Sequence, residues 1–182
     1  MIRLALFGLA SLALLPLSWR SLGNVRAHGF YRFFAFEFLT ALILWNAPLW
    51  FRDPFCLRQW AAWTLGAVSI ALVIEGFRLL RIVGRPSGAG PETNLAFENT
   101  TQLVTIGAYR WIRHPLYASL LALGWCAWLK QPLEGVSAAL AAGATAALVA
   151  TALAEERENR LRFGPAYGDY CRRTRRFIPF VF

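Results

Sequence analysis

At 182 residues, 57% hydrophobic and only 16% charged, the chain is too apolar for an ordinary soluble domain, where usage is roughly 45–50% apolar and about 25% charged. Its net charge of +9 would suit nucleic acid, but the basic residues are nearly all arginines set between apolar runs; a bilayer explains that placement, and no nucleic acid is expected. Cys56, Cys126 and Cys171 lie far apart, a spacing that supports neither a disulfide framework nor a metal site.

In chain order, apolar runs fall at about 4–19, 31–51, 57–76, 116–130 and 132–153, against the ~20 residues that cross a hydrocarbon core. The expected fold is therefore all-α and polytopic, with about five transmembrane helices in a single integral membrane domain. Arg3 precedes the first run as in a signal peptide, yet no small-x-small cleavage site follows and Trp19-Arg20 closes it, so a retained span is expected. Gly84 to Pro91, rich in Gly and Pro, ends the third span and opens a cytoplasmic segment running to His114. Pro132 and Gly135 predict a tight hairpin between the fourth and fifth spans. The fifth, Val136 to Ala154, is mostly alanine with Gly143, Thr145 and Thr151, a composition for close packing inside the bundle.

Of the 19 basic residues, all but Arg3, Arg52, Arg58 and Lys130 fall on one side of these spans. Arginine and lysine concentrate on the cytoplasmic face, so the amino terminus is expected outside and the carboxyl tail in the cytoplasm. Trp45, Trp50, Trp60, Trp63, Trp125 and Trp128 gather near the outer ends, as an interfacial belt does. Arginine-heavy, alanine-rich usage fits a bacterial inner membrane.

Three features converge on the cytoplasmic side. The run Thr101-Gln102-Leu103-Val104 leads through Gly107 and Tyr109 to Arg113-His114-Pro115-Leu116-Tyr117, where the fourth span begins. Pro115 suits a first helical turn, and the free N–H groups there, with Arg113 and His114, make an anion site. Anchoring at the interface would use the same Arg, Trp and Tyr. The fifth span returns Glu155-Glu156 to that level; these carboxylates either share a mouth with Arg113 and His114 or simply emerge into solvent. The block from Arg160 to Tyr170, continued by Arg175-Arg176-Phe177-Ile178-Pro179, mixes aromatics with arginine, as a segment on anionic lipid does. Glu37 and Glu75 lie within apolar spans, where an ionisable group is costly and is commonly functional or paired. Arg32 and Arg78 are the nearby candidates for pairing.

Taken together, Gly107-x-Tyr109, Arg113-His114-Pro115-x-Tyr117, Glu155-Glu156 and Phe163-Gly164-x-x-Tyr167-x-x-Tyr170 with Arg176-Phe177-Ile178-Pro179 resemble the isoprenylcysteine carboxyl methyltransferase family, whose core phospholipid N-methyltransferases share. The likeness covers the chain from about Asn94 onward. It implies a cofactor-binding core over 81–182 behind a three-span part over 1–80, with the cytoplasmic pocket formed by the carboxyl-terminal half. It implies S-adenosylmethionine as cofactor and a hydrophobic methyl acceptor arriving from the bilayer. Cofactor contacts would fall on Thr101, Gln102, Leu103, Val104, Tyr109, His114, Pro115, Leu116, Tyr117 and Glu155, with Asn94 a further candidate. Glu37, Glu75, Arg113 and Glu156 are the candidates for a catalytic part, although a carboxylate or thiolate acceptor needs no general base. The prenylcysteine enzymes of eukaryotes carry a substrate-receiving arginine one turn before the glutamate pair. Thr151 stands there in this chain, which leaves isoprenoid carboxylate, phospholipid amine and small thiol acceptors all open. Two alternatives remain: an NADPH-dependent enzyme like the sterol reductases, and a noncatalytic membrane assembly protein or small transporter.

Overall fold

A computed structural model describes residues 1–87, 93–131 and 134–181. Among these the chain is all-helical, with 74% helix and no strand. The helices are α1 (Ile2–Leu22), α2 (His28–Asn46), α3 (Leu57–Ile82), α4 (Pro115–Trp128), α5 (Gly135–Phe163) and α6 (Pro165–Arg173). Short 3-10 turns at Ala96–Glu98 and Gly107–Arg110 punctuate the segment between α3 and α4. The expected turn at Pro132 and the stretch from Gly88 to Pro91 lie outside the described residues.

Among the described residues three helical segments are long and apolar enough to cross a membrane: α1, α2 with the turn that follows it, and α5. The third helix is 26 residues long, with Arg58 and Gln59 at its start and Glu75, Arg78 and Arg81 in its last turns. The fourth is apolar yet only 14 residues, or about 21 Å against the ~30 Å of a hydrocarbon core.

Packing follows the small-residue pattern of α5. Ser137, Ala141, Ala144, Leu148, Thr151 and Ala152 are buried along it, a stripe at the spacing of one helical face. That face lies mainly on α2, while α3 lies mainly on α4, which also touches α2 and α5. A Cβ at Gly143 would come within 2.8 Å of the Phe38 ring, so glycine there lets the α2 ring seat against the α5 backbone. Ala35 and Leu39 of α2, Tyr117 and Ala118 of α4, and Leu148 and Ala152 of α5 form the shared core. Packed mainly on α2, α1 leaves Ile2, Leu4, Leu9, Leu12 and Leu17 exposed, an apolar surface suited to lipid rather than water.

Local chemistry sets the helix ends that matter. Glu134 caps α5 by accepting from the N–H groups of Val136 and Ser137, two donors that a helix start otherwise leaves open. At the far end Gly164 takes φ +56°, a backbone that glycine adopts freely, and Pro165 starts α6 at once. The carboxyl-terminal strip then folds back on the turn before α4: the N–H groups of Arg113 and His114 donate to the carbonyls of Arg175 and Arg176 at 2.7 and 3.1 Å, and Arg175 returns a bond to Trp111 at 3.0 Å.

Candidate functional site

The turn opening α4 and the last turns of α5 face each other. Proline at the first position of α4 leaves His114 as the preceding residue, and the paired terminal strip holds that turn in place. Arg113 donates to Glu156 at 2.9 Å and to the Thr174 carbonyl at 2.6 Å, while Arg176 donates to the same carboxylate at 3.1 and 3.3 Å. The His114 ring lies between both glutamates, Nδ1 3.6 Å from Glu155 and Nε2 3.5 Å from Glu156; among the described residues Nε2 makes an ion pair but no hydrogen bond. Burial opposes the imidazolium, but the two carboxylates outweigh it and raise the His114 pKa above the usual imidazole value.

Behind this pair lies a cavity of about 240 Å³. Of the residues expected to hold a cofactor, Leu103, Val104, Tyr109, His114, Leu116, Tyr117 and Glu155 line it, as does Arg113. Other expected contacts sit elsewhere. Thr101 and Gln102 are exposed and bond to the carbonyls of Gly84 and Arg85, Pro115 is buried beneath the turn, and Asn94 donates to Asn99. Glu156 is the anchor of the Arg113–Arg176 cluster rather than part of the cavity wall.

Glu37 and Glu75 are absent from the wall as well. Glu37 accepts from Ser11 at 2.7 Å, tying α1 to α2. Glu75 accepts from the Ala108 N–H at 3.0 Å beneath Gly107, where φ is +59° and a Cβ would collide with Glu75 and Leu79. The expected pairing with Arg32 or Arg78 is thus replaced by a hydroxyl for Glu37 and a backbone amide for Glu75, because Arg32 is drawn toward the other side of α2.

Arg32 belongs to a network that the sequence pattern did not single out. His28 and Arg32 stand one turn apart at the start of α2. His28 meets Glu158 at 2.7 Å and Glu98 at 3.2 Å, and Arg32 donates to Glu98. Burial would push the Glu98 carboxyl up, but the His28 hydrogen bond and the Arg32 charge hold it below the usual range. Arg32 and Glu98 both line the cavity, together with Phe36 of α2 and Val73, Phe77 and Leu80 of α3. The wall therefore draws on both halves of the chain, which corrects the expectation of a pocket formed by the carboxyl-terminal half. From α6, Tyr167 and Tyr170 complete it, the latter donating to the Tyr109 carbonyl at 2.7 Å.

Comparison with protein-family models, with curated proteins and with solved structures returns no match.

Proposed function

We propose that this chain is an integral membrane methyltransferase that binds S-adenosylmethionine in the cavity and serves a hydrophobic acceptor arriving from the bilayer. The observation that carries this reading is the closure of the Arg113–Tyr117 turn on the Glu155 turn around one cavity with a polar mouth and an apolar wall. The donor set fits the group: the His114 cation suits its carboxylate, Glu155 and Asn159 suit its amino group or ribose hydroxyls, and Leu103 and Val104 suit a flat base. When bound, the sulfonium supplies an activated methyl group that needs no acid to depart. At about 240 Å³ the cavity is smaller than the roughly 300–1,000 Å³ of drug-sized sites, so the acceptor's tail lies outside it, along the apolar rim.

In this reading α1 to α5 all cross the bilayer, the amino terminus outside and the carboxyl tail in the cytoplasm, in a bacterial inner membrane. Support comes from the one-sided arginines and from Arg110, Arg172, Arg173 and Arg175 grouped with exposed Trp111 and Phe180, a face suited to anionic headgroups.

Calorimetric titration of the purified chain with S-adenosylmethionine and with NADPH tests the reading. Micromolar binding of the first and none of the second is expected; the reverse result assigns the cavity to a reductase. Labelled donor incubated with lipid extract, followed by mass spectrometry for the gain of one CH2, then identifies the acceptor.

A further inference from the structure

Arg110, Arg172, Arg173 and Arg175 line an open groove of about 840 Å³, distinct from the cavity but sharing Tyr170 with its wall. All four are exposed, and among the described residues the one carboxylate paired with any of them is the exposed Asp169, through Arg172. These charges straddle a seam. Arg110 belongs to the turn before α4, Arg172 and Arg173 end α6, and Arg175 lies on the terminal strip, whose backbone pairs with that turn beside Ile112. Like charges on both sides of such a pairing push the two segments apart. The same pairing orients the cavity: it engages the N–H groups of Arg113 and His114, and the carbonyl of Thr174, a residue of the groove wall, takes a bond from Arg113 at 2.6 Å. An anion in the groove would relieve the repulsion where it loosens the turn that carries His114.

The rim of the groove tells which anion. Ile106, Trp111 and Phe180 on it are 52%, 47% and 78% exposed; Arg110 lies over the Trp111 ring at 5.2 Å, and the Trp111 and Phe180 rings are 5.4 Å apart. A free anion would satisfy the arginines and leave these rings in water, whereas a phospholipid covers both, its phosphate on guanidinium groups that bind it through paired N–H bonds and its glycerol and upper chains on the aromatic rim. We propose that the groove seats the headgroup of an anionic phospholipid from the cytoplasmic leaflet, and that this lipid clamps the terminal strip onto the turn before α4, so that the affinity for methyl donor depends on anionic lipid. The clamp rests on reading the cavity as the methyl-donor site; the lipid seat does not.

The test places the full chain in phosphatidylcholine nanodiscs with and without phosphatidylglycerol and counts, by native mass spectrometry, the lipid it retains on release from the disc. Wild type should keep phosphatidylglycerol in preference to phosphatidylcholine, and its S-adenosylmethionine Kd should be at least about fivefold lower in the anionic discs. Combining Arg110→Gln with Arg175→Gln removes one charge from each side of the seam and leaves the main-chain pairing in place; this variant should lose both effects, yet bind the donor in neutral discs at least as tightly as wild type. Arg26→Gln with Arg157→Gln takes the same charge from exposed positions outside the groove and should behave as wild type. The proposal is overturned if wild type shows no preference for phosphatidylglycerol, if the Arg26 and Arg157 substitutions abolish that preference as well, or if inorganic phosphate in neutral discs reproduces the gain, which would make the groove a free-anion site. Retention of phosphatidylglycerol with no change in donor affinity overturns the clamp. If S-adenosylmethionine binds in no disc, the methyltransferase reading fails by itself, and retention that depends on Arg110 and Arg175 still decides the lipid seat.

Discussion

Just beyond α4, at one end of the bundle, Lys130 is buried at 1% exposure between an amide and two indoles, with Arg58 bonded to the neighbouring Leu129 carbonyl: Gln59 accepts from Lys130 at 2.8 Å, and the Trp63 and Trp50 rings lie 3.4 and 5.5 Å from its nitrogen. At the opposite end Arg32, Arg113, His114 and Arg176 meet the carboxylates of Glu98, Glu155 and Glu156 beside a cavity, and among the described residues two donors of Arg32 and one ring nitrogen of His114 make no hydrogen bond. A cation whose hydrogen bond and aromatic faces come from the protein itself holds helices together. Charge that the fold gathers and leaves partly unmatched next to a cavity is arranged for something else. On this contrast, substitutions at the Lys130 end should change stability alone, and those at the cavity end should change binding.

Glu156 should show the largest effect, because it belongs to the cavity end but serves the fold. Replacing it with glutamine removes the charge opposite Arg113, Arg176 and His114 at once. Breaking a buried ion pair from one side costs about 3–5 kcal/mol, so Glu156→Gln should lower the unfolding temperature more than any other single change here, as thermal melts in detergent will show. A melt like that of wild type would mean that the cluster is solvated and not structural.

Glu155→Gln comes next and reads out differently. Its carboxylate faces His114 and the cavity, so the fold should survive while methyl-donor binding weakens. Losing one partner of a buried charge pair costs roughly 2–5 kcal/mol, so the Kd in calorimetry should rise at least about thirtyfold. Unchanged affinity would place the donor elsewhere.

Lys130→Met strips the Gln59 carbonyl of its donor and removes the cation from the two indoles. An orphaned buried acceptor costs about 1–3 kcal/mol, which should appear as a lower melting temperature with no change in donor binding. A binding defect in this variant would erase the distinction between the two ends.

How much of this was legible in sequence differs between the two networks. Arg113 and Glu156 could be brought together on paper because two apolar runs joined by a short turn return their ends to one level. Such a fold needs only helix length and direction. The Arg32–Glu98 contact joins residues 66 apart, and Glu98 lies in a segment without hydrophobic period, where nothing in the pattern tells which side chains turn inward. The same irregularity explains why Leu103 and Val104 line the cavity while Thr101 and Gln102 bond back to Gly84. His28 and Arg32, one turn apart on α2, were the available signal; they read equally well as positive charge at the cytoplasmic border. Five apolar runs were visible, whereas among the described residues three helical segments meet length and hydropathy together, and α4 at 14 residues is shorter than a span.

The smallest effect sharpens the contrast most, because it can be read without a ligand. His114 has a folded pKa raised above its ordinary 6.5 by Glu155 and Glu156 against the opposing effect of burial, so its contribution to stability is complete below 6.5 and is lost as pH climbs through the raised value. Glu98 works in the other direction: with a folded value held below 4.5, its contribution is complete above 4.5 and fades as pH falls through the lowered one. Both are fully present only between those ordinary values. The melting temperature should therefore be highest in mildly acidic buffer and decline on either side. On the alkaline side the difference between wild type and His114→Asn should shrink steadily, since the variant has no imidazolium to lose, whereas Lys130→Met should run parallel to wild type between pH 6 and 8. If the His114→Asn difference held constant across that range, the ring would not be charged in the fold, and the polar end of the cavity would lack the cation on which a carboxylate-bearing donor depends.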